Sequence, residues 1–252
     1  MSKSKNSGKT IPLRRRNNEI RSRSNGDPVS LLNGLTSTEE VLFKLLEGIG
    51  DFEQTLKPPK FFRTIIFGSA RVEPETPVYE ETRRLARELA RRGVNIVTGG
   101  GPGLMEAANR GAMEGRNHKA LSFGVCIEQL NRNEKPNEYL RRAYRHRHFC
   151  TRLHQFARLG GSGAFVVMPG GVGTTLELAL ILQLLQVGHL RDVPLIAIGE
   201  MWSEYKHWAL RSMTPAYANA TELERLQVVA TVDEALPIVI EAHQRFKARR
   251  AA

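Results

Sequence analysis

Two patterns alternate along most of this chain, and they limit its fold more than any other feature. Short apolar runs rich in Val and Ile ("RTIIF", "VNIVT", "ALSFGVCI", "AFVVM", "VPLIAIG", "LQVVATV") are separated by longer segments with helical spacing. Among the latter are "VYEETRRLARELARRG", "GLMEAANRGAMEG" and "CTRLHQFARLG". Strands that are apolar at nearly every position need cover on both faces, and helices between them supply parallel crossovers. The expectation is a doubly wound α/β domain with a parallel sheet. "YLRRAYRHRHF" reads as a basic strand or an extended edge. Upstream, "STEEVLFKLLEGIGDFEQTL" has helical spacing and opens on the capping box Ser37-x-x-Glu40, which adds an N-terminal helix. No internal repeat is present, and 252 residues suffice for one core. The expected organisation is a tail over 1–35 and a single domain over 36–252.

The formal charge of +11 suggests a polyanion partner until it is located. Lys3, Lys5, Lys9, Arg14, Arg15, Arg16, Arg21 and Arg23 face Glu19 alone, so most of the excess lies in the first 25 residues. With few large apolar residues, that segment cannot offset its ordering entropy by burial and is expected to be a disordered, solvated tail. A weak, salt-dependent contact with nucleic acid is the sharper alternative. Glu177, Gln183 and Gln186 interrupt the longest apolar run, so no membrane span is expected. The polar N-terminus lacks the apolar stretch of a secretory signal. The two cysteines, Cys126 and Cys150, form no CxxC and lie among apolar residues. A cytoplasmic protein with reduced, structural thiols is expected.

Ligands of doubly wound sheets gather at the carboxyl ends of the strands. Three loops rich in small residues fall there: "GSAR" (68–71), "GGGPG" (99–103) and "GGVGTT" (170–175). Each is also compatible with a plain strand–helix turn. Together at one edge they suggest backbone N–H groups aimed at phosphate. The dinucleotide fingerprint fails, because the sixth position counted from Gly99 or Gly101 is Leu104 or Glu106. A Walker-type GKS or GKT is absent, so neither a nicotinamide dehydrogenase nor an NTPase is favoured. Glu177 reads as a lone carboxylate in the first turn of the helix after "GGVGTT", where Thr174-x-x-Glu177 would also make a capping box.

"PGGVGTTLE" (169–177) matches the PGGxGTxxE motif of the LOG ("lonely guy") proteins, once named lysine decarboxylases. "FGSAR", "GGGPGLMEAANRGA" and "HFCTRL" (148–153) resemble the other family segments, in order, over residues 62–235. The resemblance implies a Rossmann-like, usually dimeric phosphoribohydrolase without cofactor or metal. Such an enzyme splits a purine nucleoside 5′-monophosphate (AMP or a cytokinin riboside monophosphate) into base and ribose 5-phosphate. It further implies Glu177 as the catalytic acid. Cleaving a ribosyl–base bond develops positive charge at C1′, which a carboxylate stabilises while orienting or deprotonating water.

The family arginine falls about fifteen residues before the motif's proline, which here is His154. "LGGSGAF" (159–165) carries two extra small residues that would restore Arg152, and a lysine expected after it is Leu153. Arg152 is preferred, since guanidinium holds phosphate bidentately; an exposed helix charge is the alternative. The resemblance places substrate around Gly68, Ser69, Arg71, Gly100, Gly101, Glu128, Gly170, Gly171, Val172, Gly173, Thr174 and Thr175. Arg71 equally suits a surface salt bridge, and Glu128 a polar loop. Met105 reads as core, and Glu106 as cap or site wall. His146-x-His148 amid arginines disfavours a metal. Trp202 and Trp208 read as packed helix residues. The alternative function is nucleotide binding without turnover, by a sensor or a molybdenum-cofactor carrier on the same fold. The nearly all-apolar helix "LELALILQLLQVG" predicts a homodimer, with helix 37–56 as the competing cover.

Overall fold

The apolar runs become seven strands: β1 (Arg63–Phe67), β2 (Asn95–Thr98), β3 (Ser122–Ile127), β4 (Arg142–His146), β5 (Ala164–Val167), β6 (Leu195–Ile198) and β7 (Leu226–Val229). In this computed structural model they form one sheet in the order β4-β3-β2-β1-β5-β6-β7. Every neighbouring pair is parallel. The structure describes residues 61–117, 120–128 and 135–251, with Thr38 and Leu42 upstream. The chain divides into two units, Met1–Lys57 and Pro58–Ala252, and the sheet belongs to the second. The expected tail and the Ser37–Glu40 capping box lie outside the described residues, as does all but two positions of helix 37–56.

The helices are α1 (Pro77–Arg91), α2 (Leu104–Glu114), α3 (Phe149–Gly160), α4 (Val172–Gln186), α5 (Glu200–Met213), the short α6 (Ala220–Leu223) and, after the last strand, α7 (Val232–Ala251). α1 shows how its sequence sets its bounds. Thr76 takes the extended N-cap conformation, Pro77 opens the helix where its missing N–H costs nothing, and Arg91 ends it against the dipole. Gly93 then turns the chain at φ 81°, a value a side chain resists, and donates to Ala90 O at 2.9 Å.

Because strand side chains alternate, adjacent residues enter opposite cores. Ile66, Ile96, Val166 and Ile196 pack under α1, α2 and α7. Ile65, Phe67, Val97, Phe165 and Leu195 pack under α3, α4 and α5 with Phe156 and Trp202. Each such side chain contributes roughly 1.5–3 kcal/mol by leaving water. β4 is exposed and basic, an edge strand as its sequence suggests.

Successive strands step from β1 toward β4, then the chain returns to place β5 on the other side of β1. The topological switch therefore lies between β1 and β5, the crevice where such sheets bind ligands. Among the described residues no helix is long and apolar enough to cross a membrane.

Four local expectations need correction. α4 begins at Val172 with Gly171 as N-cap, so Glu177 lies beyond the first turn and Thr174 is not the cap. The glycines start the helix earlier than the Thr-Glu spacing suggests. Cys126 is buried, but Cys150 is exposed in the first turn of α3. Trp202 is fully buried, whereas Trp208 is 47% exposed, on the outer side of α5. Met105 is only half-buried, because it sits against Gly99 at the loop edge.

Candidate active site

Hydrogen bonds tie the three glycine-containing loops together at the switch point. Ser69 N–H donates to Pro169 O (3.1 Å), joining the loop after β1 to the loop after β5. Leu104 N–H donates to Ser69 O (2.9 Å), adding the start of α2. The contact is close enough to require small residues. A Cβ on Gly68 would lie 2.9 Å from Leu104 Cβ, and one on Gly103 (φ 68°) would strike Ser69 O.

α4 opens on this crevice. Thr175 N–H is the first to find an acceptor in the turn, Gly171 O at 3.0 Å, which leaves Val172, Gly173 and Thr174 N–H without intrahelical acceptors. Val172 is 89% exposed, and a Cβ on Gly171 or Gly173 would meet nothing within 4 Å. Gly170 must be bare, since a Cβ there would overlap the Thr174 side chain. The turn therefore presents free donors and the positive end of the helix dipole to incoming anions.

Two turns into the crevice wall, Glu177 faces Arg152: Oε1 lies 3.8 Å from Nη1, with side chains 12% and 10% exposed. α3 turns Arg152 inward with Gln155, Phe156 and Leu159, while His154 is exposed. The two extra small residues in "LGGSGAF" thus accompany an inward Arg152. Its Nε donates to Val125 O at 2.8 Å, and the guanidinium lies over Phe149 (5.7 Å) and Phe156 (5.2 Å). A Cβ on Gly99 would overlap Nη2. Arg152 is thus anchored on several sides rather than free to swing toward solvent.

Burial pushes the Glu177 carboxyl up to about 7, and the Arg152 charge opposes that only in part. Near neutrality the group exchanges its proton readily. Burial, with help from Arg152, also lowers His146, whose Nδ1 lies 3.1 Å from Thr151 Oγ1.

The other candidates scatter. Ser69 and Arg71 sit on the loop after β1, where Arg71 N–H donates to Ser69 Oγ (3.1 Å); Arg71 is exposed. Gly100 (φ 77°) and Gly101 form the next loop. Glu128 is exposed at the end of β3 and faces Arg147 (3.7 Å), so no described contact joins it to the Arg152–Glu177 pair. Glu106 accepts from the buried Tyr79 hydroxyl (3.0 Å), which makes it a tie between α1 and α2.

Sequence reasoning missed the supports. Asn109, fully buried, bonds Thr98, Ser122 and Asn137, and Val125 O holds Arg152. A polar Asn on the buried side of an Ala-rich helix was the available signal for the first; a backbone carbonyl leaves none.

Fold and site together define a class: a parallel α/β domain with a glycine-rich helix start beside a buried Arg–carboxylate pair. The model of the family described as "possible lysine decarboxylase" matches residues 105–239, more than half of the chain, which therefore belongs to that family, the LOG family. Similar proteins include the pyrimidine/purine nucleotide 5′-monophosphate nucleosidase of Escherichia coli K12, 34% identical over 127 residues, 48% of this chain and 28% of that one. The probable cytokinin riboside 5′-monophosphate phosphoribohydrolase LOGL3 of Oryza sativa subsp. japonica is 30% identical over 141 residues, 55% of this chain and 64% of that one. The chain thus spans less than two thirds of either relative.

Among solved structures, the structural-genomics target TM1055 aligns with TM-score 0.54 at 20% identity, covering 72% of this chain and 99% of that one. The Moco carrier protein of Chlamydomonas reinhardtii aligns at 0.53 and 18%, covering 74% and 99%. These two share the fold.

Proposed function

We propose that this domain hydrolyses the N-glycosidic bond of a purine nucleoside 5′-monophosphate, giving free base and ribose 5-phosphate. The observation that carries the reading is the buried Arg152–Glu177 pair beside the N–H groups of Val172, Gly173 and Thr174, which have no intrahelical acceptors. The 5′-phosphate occupies the helix start. Ionised Glu177 stabilises the positive charge developing at C1′ and takes a proton from the attacking water. The water oxygen bonds to C1′ and the bond to the base nitrogen breaks; the base takes a proton from solvent, and Glu177 releases the proton it took to solvent, restoring the carboxylate. Arg152 keeps enough of Glu177 ionised near neutral pH against the pull of burial. Because the ionised form works, turnover rises with pH through about 7.

The test is to incubate the protein with a panel of nucleoside monophosphates and the matching nucleosides, and to measure released base by chromatography. Base is expected from a monophosphate at least about a hundredfold faster than from its nucleoside, since several charge-assisted bonds of about 1.5–3 kcal/mol each are lost with the phosphate. Comparable cleavage of AMP and adenosine would refute the phosphate assignment. No release from any nucleotide would favour binding without turnover. The relatives' named activities on nucleoside monophosphates support the enzyme reading. A homodimer and a cytoplasmic location belong to the same proposal, and so does a weak contact of the basic residues 1–25 with nucleic acid.

A further inference from the structure

The glycine loop between β2 and α2 lies against Arg152, and the side-chain amides of buried Asn109 and partly buried Asn137 fix where it lies. Thr98 Oγ accepts from Gly100 N–H (2.9 Å) and donates to Asn109 Oδ1 (2.6 Å). Asn109 Nδ2 donates to Ser122 Oγ (2.8 Å) and Phe123 O (3.3 Å). Its remaining acceptor site receives Asn137 Nδ2 (3.0 Å), so Asn109 makes all four bonds an amide can make. From the other side, Asn137 N–H donates to Gly100 O and its Nδ2 to Gly101 O, each at 2.9 Å. Its Oδ1 receives Tyr139 N–H (3.2 Å). Gly100 is thereby held by its N–H through Thr98 and by its carbonyl through Asn137. The neighbouring residue, Gly99, cannot carry a Cβ without overlapping Arg152 Nη2.

We propose that Asn137 is a positioning residue for the Arg152–Glu177 pair, acting through Gly99–Gly101. The inference rests on reading that pair as catalytic. Arg152 is held at Nε by Val125 O and on its faces by Phe149 and Phe156. The Nη2 end is bounded by the Gly99 backbone, whose height over the sheet depends on Thr98 and Asn137. If the loop lifts, the guanidinium gains room to turn away from Glu177. The carboxylate then loses its opposing charge and binds its proton more tightly.

Asn137→Asp separates this role from simple packing. The variant keeps the shape, the backbone bond to Gly100 O and the acceptor for Tyr139 N–H. It replaces two donors with an oxygen facing Gly101 O and Asn109 Oδ1. In the full chain, kcat for the best monophosphate is expected to fall at least about tenfold while KM changes less than about threefold, as misplacement of a catalytic group predicts. The midpoint of Glu177 titration is expected to move to higher pH. That midpoint is read from carbon-13 NMR of labelled glutamate carboxyls, assigned with Glu177→Gln, and so stands even if no nucleotide is cleaved. Asn137→Ala should move it the same way without the added negative charge. An unmoved midpoint in both variants would overturn the proposal, whatever happens to thermal stability, and so would a rise in KM alone.

Discussion

On the face covered by α1, α2 and α7, helices approach closely through small residues and are tied by ion pairs. A Cβ on Gly111 would strike Arg83 O, and one on Gly115 would lie 2.7 Å from Ala90 Cβ. Arg83 bridges to Glu114 at 2.6 Å and Arg84 to Asp233 at 2.7 Å. The face covered by α3, α4 and α5 is aromatic inside and apolar outside. Phe149, Val172, Leu176, Val187 and Trp208 are all exposed there, and the Arg152–Glu177 pair sits at its edge. One face is closed by packed helices and ion pairs; the other keeps a buried charge pair and exposed apolar side chains. Well-paired groups stabilise, while a carboxylate moved out of its ordinary range is poised for chemistry.

The contrast is sharpest at Glu177. Glu177→Gln should reduce turnover by on the order of 10²–10⁴-fold. The same variant should change stability in a way that depends on pH. Between about 4.5 and about 7 the folded protein holds a proton on Glu177 that the unfolded chain has released. Stability therefore falls as pH rises through that window and is flat above it. At about pH 8 the glutamine variant should be more stable by on the order of 1–3 kcal/mol, less what Arg152 loses, and the gain should vanish below about pH 4.5.

The closed face has the opposite signature in His243, pushed down to about 4 by burial and by the Lys247 charge. Its contribution is complete above about 6.5 and is lost as pH falls toward about 4. Denaturant titrations across pH check both signs. A glutamine variant with full activity, or one less stable than wild type at about pH 8, would make Glu177 a structural partner of Arg152.

The exposed apolar side chains give the next expected effect. Val172, Leu176 and Val187 recur at helical spacing along the outer side of α4, whereas Leu185, also apolar, is buried in the protein's own core. A homodimer burying more than about 1,200 Å² in total is expected to cover this stripe. Leu176→Glu with Val187→Glu should convert the dimer mass seen by light scattering to that of a monomer while circular dichroism stays unchanged. A wild-type monomer at micromolar concentration would remove the dimer from the proposal.

The strands, their parallel pairing and the glycine loops were legible because each follows from local rules. Continuous Val/Ile runs demand two covered faces, and the alternation of Ile65 and Ile66 into separate cores follows from a period of two. Arg152 and Glu177 were legible only through a motif, since nothing local distinguishes an inward Arg152 from an outward His154. The start of α4 was misread because Thr174 and Glu177 imitate a cap, while the backbone obeys Gly171. Asn137 and Val125 O escaped notice because their roles depend on residues far away in sequence, which only the sheet brings together.

The smallest effect tests the closed face itself. Arg83 holds Glu114 as a fork, with Nε 2.9 Å from each carboxylate oxygen and Nη2 2.6 Å from Oε1. Partial burial pushes the Glu114 carboxyl up, but the Arg83 hydrogen bonds and the nearby arginine charges outweigh it and hold the group below its ordinary value. A depressed carboxylate stabilises the fold above its unfolded value, and that contribution fades as pH falls through the folded one. Both side chains are partly exposed, so solvent screens the pair and Glu114→Gln should cost only about 0.5–1 kcal/mol near neutral pH. The deficit should shrink with added salt and disappear in acid, and kcat should stay at the wild-type value. A loss of turnover in this variant would show that the two faces are coupled through the sheet, which is the result that would break the comparison.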